Sequence, residues 1–78
     1  MYAVEITYDR DRYGHRSRCF RDIQEPEQAA QIFESEAEPP KPELGELVER
    51  LALGEKLEDF NDETGKTVVA YELVGAVV

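Results

Sequence analysis

The chain has 78 residues, of which 18 are acidic and 9 are lysine or arginine, so its net charge is -9 near neutral pH. This length suits one domain over residues 1–78, and the negative charge disfavours free nucleic acid and anionic lipid as ligands. The single cysteine, Cys19, excludes an internal disulfide, and no segment approaches the roughly 20 apolar residues of a membrane span.

The first predicted elements are two strands joined by a turn. Apolar and aromatic residues alternate with others from Tyr2 to Tyr8, which is typical of a strand with one buried face. Residues 9–14 predict a turn in which Gly14 supplies a positive φ. Residues 15–22 predict a second, antiparallel strand with little apolar character, so we expect an edge strand protected by its arginines.

Two helices are predicted next. Pro26 and the acids beside it favour the start of a first helix, which ends near Glu36. Residues 38–42 contain three prolines and predict an extended connector. A second helix is predicted to begin at residues 42–43 and to end at Gly54. The expected apolar stripes are Ala29, Ala30, Ile32 and Phe33 in the first helix, and Leu44, Leu47, Val48 and Leu51 in the second.

The C-terminal part predicts a second hairpin. Residues 57–61 and 66–74 have strand patterns, and residues 62–65 between them suit a type I turn closed by a glycine bulge. The order ββααββ predicts an α+β fold, a four-stranded antiparallel sheet with both helices on one face. On the last strand we assign Val69, Tyr71 and Leu73 to the core face. The full expected core is Val4, Ile6, Phe20, Ile23, Phe33, Leu44, Leu47, Leu51, Val69, Tyr71 and Leu73.

The sequence lacks the residue patterns of the common catalytic and metal sites. His15 and Cys19 are four residues apart on one predicted strand, about 13 Å and too far for a hydrogen bond. Asp9 and Asp11, like residues 61–63, lack the ligand spacing and glycine of a calcium loop. There is no CxxC, no HxxxH and no glycine-rich phosphate loop. We therefore predict no enzymatic activity, no bound metal and no cofactor.

Negative charge is concentrated in the middle of the chain. Residues 25–63 contain thirteen acids and three bases, a net charge of -10, whereas residues 1–22 have a net charge of +1. Carboxylates on a rigid scaffold can imitate nucleic-acid phosphates and can bind a surface of lysine and arginine. The alternative is a solvated surface that serves solubility alone. The candidate partner-binding residues form a predicted acidic belt that consists of Glu34, Glu36, Glu38, Glu43, Glu46, Glu49, Glu55, Glu58, Asp59, Asp62 and Glu63.

The predicted N-terminal turn is a second candidate surface. Five arginines with Tyr13, His15 and Phe20 among them are typical of a surface that contacts phosphates and stacks on bases. Aspartates within the turn and the acids elsewhere oppose such binding, so direct contact with nucleic acid is the alternative hypothesis. The turn could equally hold an acidic patch on a protein partner. Its candidate residues are Arg10, Arg12, Tyr13, Arg16 and Arg18.

Small size, high acidity and the acidic run over residues 34–63 resemble those of phage-encoded inhibitors. Within that group the chain is similar to the small anti-CRISPR proteins, several of which act as DNA mimics against type I interference complexes. The resemblance implies a non-enzymatic inhibitor that occupies the lysine- and arginine-rich surface where such a complex or its nuclease receives DNA. It also implies a cytoplasmic location in the host bacterium. Other small acidic phage or plasmid proteins, including inhibitors of restriction or of host transcription, are similar in the same respects. The absence of an apolar N-terminal segment predicts no secretory signal, and we expect a monomer or a weak homodimer.

Overall fold

The computed structural model describes residues 1–8 and 16–74. Its elements, in chain order, are β1 (Tyr2–Tyr8), β2 (Arg16–Ile23), α1 (Pro26–Glu36), α2 (Leu44–Ala52), β3 (Leu57–Asn61) and β4 (Lys66–Glu72). The strands form one antiparallel sheet in the order β2-β1-β4-β3, and the predicted α+β fold with the order ββααββ is confirmed. The predicted turn at residues 9–14 lies outside the described residues.

Both helices begin and end where their end signals occur in the sequence. Pro26 occupies the first turn of α1, where a missing N–H removes no helical hydrogen bond. At the end of α2 Gly54 has a φ of 86°, and its N–H donates to the Leu51 carbonyl while that of Glu55 donates to the Arg50 carbonyl. This pair of bonds is a Schellman motif, which glycine favours because a left-handed residue is required. Neither helix has the length and apolar character that crossing a membrane demands, as far as the described residues show.

The core lies between the two helices and the face of the sheet that they cover. Leu47 and Leu51 of α2 and Ala29, Ala30 and Phe33 of α1 are buried against Val4 and Ile6 of β1 and Leu57 of β3. All buried side chains of the described residues are apolar. The small side chains of Ala29 and Ala30 let α1 approach the sheet closely, and α1 contacts β1, β4 and β2.

The predicted core face of β4 is wrong. Val68 and Ala70 are fully buried, whereas Val69, Tyr71 and Leu73 are only partly buried. The reason is the register with β1, in which Ile6 pairs with Val68 and therefore shares its face of the sheet. Both faces of β4 are apolar in sequence, so its own alternation does not distinguish them. Val69 and Tyr71 lie on the face that the helices leave uncovered.

A β-bulge in β2 brings both of its apolar residues toward the core. Tyr2 pairs with Ile23 and Val4 pairs with Phe20, so β2 has one more residue than β1 between these pairs. Phe20 and Ile23 are three positions apart and would point to opposite faces of a regular strand. The extra residue, with Asp22 at a φ of 60°, allows both to pack against the core. β2 is an edge strand, as predicted.

The loop between β3 and β4 is held by a short side chain. Asn61 Oδ1 accepts hydrogen bonds from the N–H groups of Glu63 (2.9 Å) and Thr64 (3.3 Å). Gly65, with a φ of 72°, donates its N–H to the Asn61 carbonyl at 2.8 Å. The two strands pair without a register shift up to Asn61 and Lys66, so the predicted glycine bulge is wrong and Gly65 instead closes a four-residue loop.

Candidate functional site

Two of the candidate carboxylates join α1 to the rest of the fold. Glu36 Oε2 lies 3.0 Å from the Lys66 ammonium of β4, and Glu36 Oε1 lies 3.9 Å from the Arg18 guanidinium of β2. Glu34 Oε1 lies 3.4 Å from the Lys41 ammonium of the connector. Because these charges are paired within the chain and half-buried, Glu34 and Glu36 contribute to the fold and are poor candidates for a partner surface.

Lys41 also satisfies the C-terminal end of α1. The last turn of α1 contains no basic residue, although its free carbonyl groups carry partial negative charge. The Lys41 ammonium supplies the cation, donating to the Glu34 carbonyl at 2.5 Å and to the Ala37 carbonyl at 3.2 Å. The connector thereby fixes the end of the helix.

We expect Lys41→Met to lower the free energy of unfolding by about 1–2 kcal/mol, because methionine keeps most of the apolar stem and removes two charge-assisted hydrogen bonds. Urea denaturation measures this change. Lys56→Met is the matched control, since the contact of the Lys56 ammonium within the described residues is an exposed ion pair with Glu58 at 3.5 Å. The control is expected to change stability by less than about 0.5 kcal/mol. Equal midpoints for the two variants would contradict the capping role.

Three further candidates lie at β3 and just before it. Glu55 Oε1 lies 3.6 Å from Arg50 Nε, and Glu58 pairs with Lys56. Asp59 Oδ2 accepts the Glu38 N–H at 3.3 Å. Glu58 is exposed, while Asp59 is half-buried on the helix-covered face together with Leu57. The predicted acidic belt is therefore divided between the two faces of the sheet.

The α2 row, defined as Glu43, Glu46 and Glu49, is the part of the belt that α2 and its N-cap residue carry. All three side chains are exposed, and none has an ion pair or hydrogen bond with a described residue. Arg50 is four residues after Glu46, the spacing of a helical ion pair, yet its Nε is directed to Glu55. The row follows one side of the helix at intervals of three residues, so neighbouring carboxylates lie close together.

A second acidic feature is the β3 groove, an open cleft of about 540 Å³ between the connector and β3. One wall is formed by residues of the connector, and the other by residues of β3 and the loop that follows it. All the charged side chains that line it are acidic. The lining residues are Glu38, Pro39, Pro40, Asp59, Phe60, Asn61, Asp62 and Glu63. The acids of this groove are evident in the sequence but the cleft is not, because nothing local indicates that the connector runs beside β3.

Most of the basic candidate surface falls outside the described residues. Arg10, Arg12 and Tyr13 lie there, and Arg16 is described only as the first residue of β2. Arg18 is directed toward the helices, beside Glu36 and with its guanidinium 5.2 Å from the centre of the Phe20 ring. These contacts occupy part of a side chain that the alternative hypothesis assigns to nucleic acid.

The remaining reactive groups form no recognisable site in the described ranges. Cys19 is exposed, and its thiol lies 3.9 Å from Glu5 Oε1. Residues 1–8 and 16–74 contain no group of three histidine, cysteine or acidic side chains arranged to hold a metal ion. No family model, curated protein or solved structure matches the chain.

Proposed function

We propose that this protein is a non-enzymatic inhibitor that binds a basic, DNA-handling protein through its acidic surface and blocks the binding of DNA. The observation behind the proposal is the α2 row, three exposed carboxylates that have no ion pair with a described residue. All three lysines of the chain, together with Arg18 and Arg50, form ion pairs with acids outside the row. The row is thus available to cations on another molecule.

The spacing of the α2 row supports imitation of a nucleic-acid strand. Residues 43 and 49 are six positions apart, roughly 9 Å along the helix axis. One strand of DNA carries a phosphate about every 3.4 Å of axis, so it presents about three charges over the same length. A groove lined with lysine and arginine would gain similar charge-assisted hydrogen bonds from either source. Along this short distance, the charge density of the helix matches that of one DNA strand.

The scaffold under the row also favours binding over simple solvation. Leu47 and Leu51 are buried on the opposite side of α2 and fix the helix against the sheet. Like charges three residues apart destabilise a helix slightly. α2 carries this repulsion even though it is only nine residues long. A helix held in this way loses little backbone freedom on binding, which raises affinity. Solubility alone requires neither the alignment nor the rigid support.

The test is mutual exclusion of DNA and this protein on the target. The resemblance to small anti-CRISPR proteins makes a type I interference complex the first target to examine. We expect stoichiometric binding that weakens steeply with salt, because the contacts are between charged groups. We also expect loss of duplex DNA from the complex as this protein binds. Simultaneous occupancy by DNA and this protein would contradict the proposal.

A further inference from the structure

None of the described strands lies beside the outer edge of β3. β3 is the last strand in the sheet order, and β4 is its sole neighbour among the described strands. Outside the sheet ladder, one described backbone–backbone bond involves β3, and it closes the strand's own loop from Gly65 to Asn61. An edge of this kind presents a row of free N–H and C=O groups to which another extended chain can pair.

The connector runs beside this edge but is unable to pair with it as a strand. The Glu38 N–H reaches Asp59 Oδ2, so the connector is held near β3 by a side chain. The next two residues, Pro39 and Pro40, have no N–H group to donate to a ladder. The connector therefore forms the second wall of the β3 groove, and among the described residues it makes no backbone hydrogen bond to β3.

The acidic residues that line the groove favour a basic occupant. Glu38 and Glu63 are exposed and have no ion pair with a described residue, and Glu38 lies on the connector while Glu63 lies in the loop after β3. Carboxylates thus lie on both walls of the groove, with no basic residue among those that line it. Phe60, 54% exposed, and the two prolines add apolar surface. The stems of arginine and lysine side chains can pack on such surface while their charged ends reach carboxylates.

We propose that the β3 groove binds an extended, arginine- or lysine-rich peptide segment of the protein partner, which pairs as an added strand with the outer edge of β3. The inference rests on the proposed function in that the partner is a basic protein. It adds the mode of binding: backbone hydrogen bonds to β3, and charge-assisted bonds to Glu38 and Glu63. A second copy of this chain, which has a basic edge strand in β2, is the competing occupant.

The test is an NMR titration of the ¹⁵N-labelled protein with a capped peptide of about ten residues in which arginine and threonine alternate, enough to cover β3 and its flanks. Two further peptides are N-methylated, one at every arginine and one at every threonine. A chain paired at one edge uses every second N–H, so we expect one methylated peptide to bind about tenfold or more weakly and the other nearly normally. The shifted amides should belong to β3 and residue 38.

Protein variants locate the site. Glu38→Gln with Glu63→Gln is expected to weaken peptide binding roughly tenfold. The matched control, Glu25→Gln with Glu27→Gln, removes the same charge from exposed positions at the start of α1, outside both the β3 groove and the α2 row, and should change binding less than about twofold. Equal loss in the two variants, equal affinity of all three peptides, or no shift at β3 would overturn the inference. So would broadening of β3 amides with protein concentration before peptide is added, which would indicate a second copy.

The two proposals fail in different ways. If the peptide leaves β3 unperturbed while the protein still displaces DNA from its target, the added-strand inference is wrong and the proposed function stands. If the peptide pairs with β3 but DNA remains bound to the target, the proposed function is wrong and the groove remains a site for basic peptides.

Discussion

Neutralising the α2 row is expected to reduce affinity for the basic partner by about 100-fold or more. The variant combines Glu43→Gln, Glu46→Gln and Glu49→Gln, and it removes three acceptors of charge-assisted hydrogen bonds, each of which contributes about 1.5–3 kcal/mol when the donor is charged. Glutamine is nearly equal to glutamate as a helix former, and the change relieves repulsion between like charges. The fold should therefore persist, which circular dichroism can check. Titration calorimetry measures the affinity.

The control for this variant must separate a local contact from total charge. Replacing Glu25, Glu27 and Glu72 with glutamine shifts the net charge from -9 to -6, the same change as in the α2 variant. These three glutamates are exposed and lie outside the α2 row. We expect the control to keep affinity within about threefold of the parent, since charges beyond a Debye length are largely screened. Equal losses in both variants would mean that bulk acidity, and not the row, determines binding.

Leu51→Ala is expected to have the largest effect on stability. Leu51 is fully buried and fixes α2 against the sheet. Truncating a buried leucine to alanine costs about 2–5 kcal/mol, a large part of the roughly 4–12 kcal/mol expected for a chain of 78 residues. The melting temperature should fall by about 10 °C or more. Thermal unfolding followed by circular dichroism tests this directly.

Leu53→Ala is the matched control for that prediction. Leu53 follows α2 and is 73% exposed, so its truncation should alter the free energy of unfolding by less than about 0.5 kcal/mol. Equal melting temperatures for Leu51→Ala and Leu53→Ala would contradict the packing of α2 against the sheet. It would also remove the rigid support that the proposed function assigns to the α2 row.

The secondary structure could be predicted because its signals are local. Pro26 and Gly54 mark the ends of helices through their backbone chemistry alone. The spacing of Leu44, Leu47 and Leu51 selects a helix and identifies its buried side. Four strands and two amphipathic helices can bury their apolar sides together in few ways, and a sheet with both helices on one face is the simplest. For these reasons the order ββααββ and the α+β architecture follow from the sequence.

Features that depend on pairing between distant residues could not be predicted. The buried face of β4 is fixed by its register with β1, since Val68 and Val69 are equally apolar. The bulge that turns Ile23 toward the core requires the register between β1 and β2. Neither register is encoded in one strand alone, so the alternation in β4 led to the wrong face.

The residue types of the candidate site could be predicted from the sequence. Which of its acids are paired within the chain could not. All eleven acids of the predicted belt looked equivalent in sequence. The structure pairs Glu34 and Glu36 with cations of the connector and the sheet, so these two carboxylates already have partners within the chain. Lys41, which no motif singles out, caps α1 because the chain turns back there. Which carboxylates remain available is a consequence of these long-range contacts.

The most direct test of the central claim is whether DNA and this protein exclude each other on one target. The measurement is native mass spectrometry of a type I interference complex mixed with equimolar duplex DNA and increasing amounts of this protein. We predict that complexes with DNA give way to complexes with this protein, that no species contains both, and that the variant of the α2 row fails to displace DNA. A stable species with the complex, DNA and this protein together would contradict the account.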